Sequence, residues 1–137
     1  MLGLDLGERR IGVAISTPEG GLAVPLRIIV RESDEQAIEA IAQLAREERV
    51  EALVVGYPRS LDGSVGPQAR LVESFAQRAG EACALPVELQ DERLTSKQAE
   101  RAAPGAKKRK GPSDDIAAAI ILQAFLDRAG TNRATGT

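Results

Sequence analysis

The chain has 137 residues, 43% of them apolar, and a net charge of −2, which suits one globular domain with a single core and excludes a polycation that coats nucleic acid. Two Phe, one Tyr and no Trp leave an aliphatic core and exclude the base-stacking platforms of single-strand binders. No histidine and a single cysteine, Cys83, exclude imidazole and multi-thiolate metal sites and any intramolecular disulfide, leaving only an intermolecular one open.

In chain order, Leu2 to Leu6 is a short apolar run around one acid, and Ile11 to Ile15 is a second. Gly7-Glu8-Arg9-Arg10 between them predicts a tight hairpin connection. Leu22 to Val30 predicts a third strand, interrupted near its start by Pro25. Residues 34 to 48 place Ile38, Ile41, Ala42 and Ala45 on one helical face, with Ser33 or Asp34 as N-cap. Ala52 to Gly56 is a valine-rich run of the kind found in buried parallel strands.

The polar loop YPRSLDGSVGP comes after it, then a helix from about Gln68 to Ala79 with Val72, Phe75, Ala76 and Ala79 inward and Gly80 near its end. Pro86 to Gln90 predicts another strand, and Thr95 caps a brief helix, SKQAERAA. Residues 104 to 112, with two Pro, two Gly and four basic residues, predict a mobile loop. The last helix is expected from Ser113 to about Arg128, with a frayed tail from Gly130 to Thr137. The order implies an α/β fold: a mixed five-stranded sheet, antiparallel meander first and parallel strands after, with helices on both faces. No apolar run reaches membrane-spanning length and no signal-peptide pattern precedes the first strand, so a soluble cytoplasmic protein without membrane contact is expected.

Three acids stand at the edges of these elements: Asp5 within the first strand, Glu92 after the last, and Asp114 in the first turn of the final helix. An ionised carboxylate among apolar neighbours requires a cation or a hydrogen-bonded partner. Carboxylates alone, without histidine, suit one or two hard divalent cations, Mg²⁺ or Mn²⁺, and hence metal-assisted phosphodiester hydrolysis. Each acid also has a plainer reading. Asp5 resembles a turn former beside Gly7, Glu92 and Asp91 are placed to pair with Arg93, and Asp114 is an ordinary acid at a helix start.

Arg59 and Ser60, in the loop after the fourth strand, suit phosphate binding, although no Lys-Ser/Thr pair comes after the glycines as in a Walker A loop. Between 97 and 110, Lys97, Arg101, Lys107, Lys108, Arg109 and Lys110 face Glu100 alone, a local net of +5. Such a run contacts a nucleic-acid backbone or is merely solvated. Arg9 and Arg10 on the first hairpin lie beside Asp5, where they would meet phosphate or neutralise Glu8.

LDLGERRIGVAIS (4–16), VVGYPRSLDGSVGPQA (54–69), DERLTS (91–96) and DDIAAAIILQAFL (114–126) together resemble the YqgF/RuvX family of RNase H-like nucleases over almost the whole chain. The resemblance implies an RNase H-like fold and a metal-dependent nuclease spanning residues 1–130, with 131–137 as a flexible C-terminal tail. It carries the family's catalytic and metal-binding acids onto Asp5, Glu92 and Asp114. Counting back from Gln123 in the A-A-x-x-I-L-Q pattern selects Asp114 over Asp115. Arg9, Arg59, Ser60, Arg93, Lys107, Lys108, Arg109 and Lys110 are then expected to bind substrate. DERLTS departs from the commoner ending in two threonines, but Ser96 keeps the hydroxyl.

Members of that family are described as nucleases maturing the 5′ end of 16S rRNA from its precursor, or as Holliday-junction resolvases. The expected partner is therefore nucleic acid, branched DNA or precursor rRNA, and two symmetric cuts in a junction would call for a homodimer. Two other classes remain. D-L-G-x-x-x-I-G-V-A-I also resembles the first phosphate hairpin of actin-like kinases, but the chain has room for only one such unit. A non-catalytic nucleic-acid or ribosome-binding protein could keep the fold, although an unused cluster of like charges would burden stability.

Overall fold

The structure, a computed structural model, describes residues 1–57, 66–91 and 113–136, with side chains through Arg128. Its elements are β1 (Leu2–Leu6), β2 (Arg10–Ser16), β3 (Ala23–Val30), α1 (Asp34–Glu47), β4 (Leu53–Tyr57), α2 (Pro67–Cys83), β5 (Val87–Asp91) and α3 (Asp114–Gly136). The strands form one sheet in the order β3-β2-β1-β4-β5. β1 runs antiparallel to β2 and β2 to β3, while β1, β4 and β5 are parallel. This is the expected mixed sheet, with an opening meander and parallel strands after it.

Alternation along the strands divides the side chains between two faces. Leu2, Leu4, Ile11, Val13, Leu53 and Val55 pack against the apolar stripes of α1 and α2, where Ile41, Leu44, Val72 and Phe75 are buried. The opposite face is covered by α3 through a smaller cluster of Ala14, Val54, Ala118, Ile121 and Leu122. Glycine sets how near α3 comes. A Cβ on Gly3 would lie 2.7 Å from Leu122 Cβ and 3.1 Å from the Ala118 carbonyl oxygen.

Local signals explain the helix ends. Ser33 Oγ accepts the Gln36 N–H at 3.1 Å, capping α1 as expected. Pro67 opens α2, where its missing N–H costs nothing. The expected end of α2 near Gly80 is overrun: the helix continues to Cys83 and closes through Ala84 in the left-handed conformation, φ 57°, with Leu85 N–H donating to the Gly80 carbonyl. Gly80 instead serves packing, because a Cβ there would lie 2.6 Å from Val87 Cγ2.

The final helix likewise passes its expected end near Arg128 and runs to Gly136, so the segment from Gly130 read as frayed is helical through that residue. Glycine in a helix interior costs about 1 kcal/mol relative to alanine but removes no hydrogen bond, and no proline lies beyond it to stop the helix. The brief helix SKQAERAA and the loop over 104–112 lie outside the described residues. No described helix is long and apolar enough to cross a membrane.

Candidate active site

Asp5 is the fourth residue of β1, directly opposite Gly12 of β2. Gly3 and Gly12 both point at α3, so Asp5, two residues beyond Gly3, shares that face. Gly12 is the contact that matters most. A Cβ on it would lie 1.8 Å from the Asp114 carbonyl oxygen and 2.9 Å from the Asp115 amide nitrogen. The first turn of α3 therefore rests on the backbone of the residue paired with Asp5. The backbone of Asp114 thus sits over the strand position opposite Asp5, 109 residues away in sequence, because that position carries no side chain.

The two acids at the start of α3 differ in their surroundings. Asp115 accepts from Ser113 Oγ at 2.7 Å and from the Ile116 N–H at 3.0 Å, so its carboxylate closes the helix end locally. Asp114 is half-buried and lies over Gly12. Among the described residues no group of three or more His, Cys, Asp or Glu is placed to hold a metal ion. The third expected acid, Glu92, lies outside the described residues, as do Arg59, Ser60, Arg93, Lys107, Lys108, Arg109 and Lys110.

Arg9 is exposed in the turn joining β1 to β2, just past Asp5, and Arg10 is exposed at the start of β2. The turn is braced. Gly7 N–H donates to the Arg10 carbonyl at 2.9 Å, and a Cβ on Gly7 would lie 2.6 Å from that oxygen. Arg31 adds a second brace that sequence reading missed. Its Nη1 donates to the Gly7 carbonyl at 2.8 Å, its other nitrogens hold Asp34, and its guanidinium lies 4.7 Å from the Phe75 ring centre. Nothing local signals this role, since Arg31, Gly7 and Phe75 come from three separate stretches of chain.

Two further side chains missed in the sequence hold α3 to the sheet. Gln123 accepts the Ala23 N–H at 2.9 Å and donates to the Gly21 carbonyl at 3.1 Å, clamping the β2–β3 turn. Gln90, buried at the end of β5, accepts from Arg128 Nη1 at 3.3 Å. The Gln in A-A-x-x-I-L-Q was visible as part of a pattern, but its partner a hundred residues away was not. On the other face, Tyr57 donates a hydrogen bond to Glu73. Cys83, half-buried against the core, has its thiol pushed above the usual range by burial, which Arg46 partly offsets.

Residues 1–128 match the family model described as "RuvX: Holliday junction resolvase". A protein of Crocosphaera subtropica is 45% identical over 131 residues, covering 93% of this chain and 92% of its own length. One of Chloroflexus aurantiacus is 46% identical over 136 residues, covering 96% and 89%. Both bear the name "Putative pre-16S rRNA nuclease". Among solved structures, T. thermophilus RuvC in complex with a Holliday junction substrate is similar with a TM-score of 0.64 at 20% identity, over 95% of each chain. That likeness is one of fold, the RNase H-like fold implied by the resemblance.

Proposed function

This chain belongs to the RuvX Holliday junction resolvase family, and from that membership and the site geometry we propose that it is a divalent-metal-dependent endonuclease that hydrolyses phosphodiesters in structured nucleic acid. The observation that carries the reading is the seat of Asp114 on Gly12, beside Asp5. Oxygen donors without histidine or clustered thiolates fit Mg²⁺ or Mn²⁺. When bound, such an ion lowers the pKa of a coordinated water and offsets charge on the departing oxygen.

Asp5 and Asp114 are the proposed metal-holding and catalytic acids, with Glu92 as the third. Glu92, outside the described residues, comes two positions after Gln90 in sequence, and Glu88 and Gln90 of β5 pair with Val54 and Gly56 of β4, whose Val54 packs in the α3 cluster. Asp115 is left out because its carboxylate is engaged by Ser113 and the Ile116 amide. Arg9 is proposed to contact substrate phosphates, held in place by the braced turn, with Arg59, Ser60, Arg93 and Lys107 to Lys110 contributing further contacts.

The substrates named for the relatives, precursor 16S rRNA and Holliday junctions, are the two candidates here. The experiment is cleavage of a synthetic four-way junction and of a precursor rRNA fragment with Mg²⁺, Mn²⁺ or EDTA. Cleavage of at least one, abolished by EDTA and by Asp5→Asn, is expected. Cutting that survives Asp5→Asn, or no cutting of either with metal present, defeats the proposal. Sedimentation on the junction reports whether two copies act together, as symmetric cuts require.

A further inference from the structure

Three aliphatic side chains lie exposed beside the acids: Val30 at 61%, Ile116 at 45% and Ile28 at 39%. Their positions in the fold make them one patch. Ile28 pairs with Gly12, the residue beneath Asp114, and Val30 pairs with Arg10, so both stand on the α3 face of the edge strand β3. Ile116 is seven residues before Gln123, two helical turns, and Gln123 bonds Ala23 and Gly21 at the β2–β3 turn. Ile116 therefore leans from the first turns of α3 toward the same strand. Val24, also exposed on β3, pairs with Ile15, which packs on the other face, and takes no part.

Resting on the nuclease reading above, we propose that Ile28, Val30 and Ile116 form an aliphatic wedge that contacts nucleobases next to the scissile phosphate, so that the enzyme favours substrate already unpaired at the cut. Phosphates would be drawn to Arg9 and Arg10, while an apolar flank has no use for a charged backbone but can cover an unstacked base. Aliphatic residues must do this work, because Tyr57 and Phe75 are buried and Phe125 packs against the α3 cluster. A second copy of the chain is the weaker occupant. Stable interfaces engage roughly 800 Å² and 20–30 residues a side, far more than three side chains flanked by an arginine. Pro25 and the register shift between Val13 and Ala14 further blunt β3 as a pairing edge.

The experiment compares kcat/KM for the wild type, Ile28→Ser/Ile116→Ser and the shape-conserving Val30→Thr on paired substrates and on the same substrates with a mismatch beside the mapped cut. Thermal melts check that each variant is folded, and Val30→Thr, at an exposed site, serves if the double variant is not. The expected result is a loss of about tenfold or more for the double variant on paired substrate, a smaller loss in the same sense for Val30→Thr, and recovery of most of it on the mismatched one. Equal losses on both substrates, or no loss in a folded variant, overturn the wedge while leaving the nuclease intact. A wild type that cuts neither substrate overturns both. A dimer that Ile28→Ser converts to monomer in sedimentation velocity assigns the patch to self-association and overturns the wedge.

Discussion

The two faces of the sheet are packed differently. Toward α1 and α2, the strands present Leu, Ile and Val, and the helices answer with Ile41, Leu44, Val72 and Phe75. Toward α3, they present Gly3, Gly12 and Ala14 beside Val54, and the helix answers with Ala118, Ile121, Leu122 and, at its first turn, its own backbone. The first face gains stability from bulk, since burying a Leu or Ile side chain contributes about 1.5–3 kcal/mol. The second keeps a smaller share of that gain, through Val54, Ile121 and Leu122, and gives it up at Gly3 and Gly12 to bring a helix start against a strand. Labour is thereby divided: one face supplies the larger buried cluster, and the other brings the start of α3 onto the strand position opposite Asp5.

That contrast can be broken by experiment. The largest effect expected on stability is on the bulky face: Leu4→Ala, at a fully buried position, costs about 2–5 kcal/mol by denaturant unfolding. At a temperature where the variant is folded, its cleavage rate and metal requirement stay near those of the wild type. A shifted metal requirement would show that the faces are not separable.

Gly12→Ala inverts the pattern. The added methyl meets the Asp114 carbonyl and forces the start of α3 to move, with a stability cost of about 1–3 kcal/mol typical of overpacking. The expected signature is a rise of about tenfold or more in the metal concentration giving half-maximal rate, with far-UV circular dichroism unchanged. Gly3→Ala, which meets Leu122 two turns along the helix, is the matched control and shifts stability without that rise. Equal metal dependence in the two variants would remove Gly12 from the site's architecture.

Gln123→Leu leaves the Ala23 N–H without its side-chain acceptor and costs about 1–3 kcal/mol, sharpening how much of α3's seat depends on the turn clamp rather than on small residues. The smallest effect concerns Cys83. Because its folded thiol titrates above the usual range, less thiolate is present at neutral pH, and the fraction rises only as pH climbs past the ordinary thiol range. Alkylation at pH 8 should be slower in the native protein than in denaturant. Native reactivity equal to the denatured rate would contradict the burial that causes the shift.

The elements were largely legible because they rest on local periodicity: alternation in β1 and β2, the i, i+3, i+4 stripe of α1, the Ser33 cap. Family motifs, spread over the chain, marked Asp5 and Asp114 before any geometry. The misjudged ends have a common cause. Gly80 and Gly130 look like helix stops in isolation, yet one makes room for Val87 and the other lies in a helix that nothing interrupts. Whether a glycine ends a helix or admits a neighbour depends on what packs against it.

By itself, the sequence determined the α/β class, the family and the identity of the candidate acids, because composition, short-range pattern and motif order do not require knowing which distant residues touch. Tertiary structure alone decided that Gly12 is the floor under Asp114, that Asp115 is turned to its own helix end, and that Arg31 and Gln123 brace the site from afar. It also decided that Ile28, Val30 and Ile116 are left exposed, the first two paired with Gly12 and Arg10 on β3. Each of these is a contact across a strand pair or between layers, and its energy exists only once the sheet has brought together residues far apart in the chain.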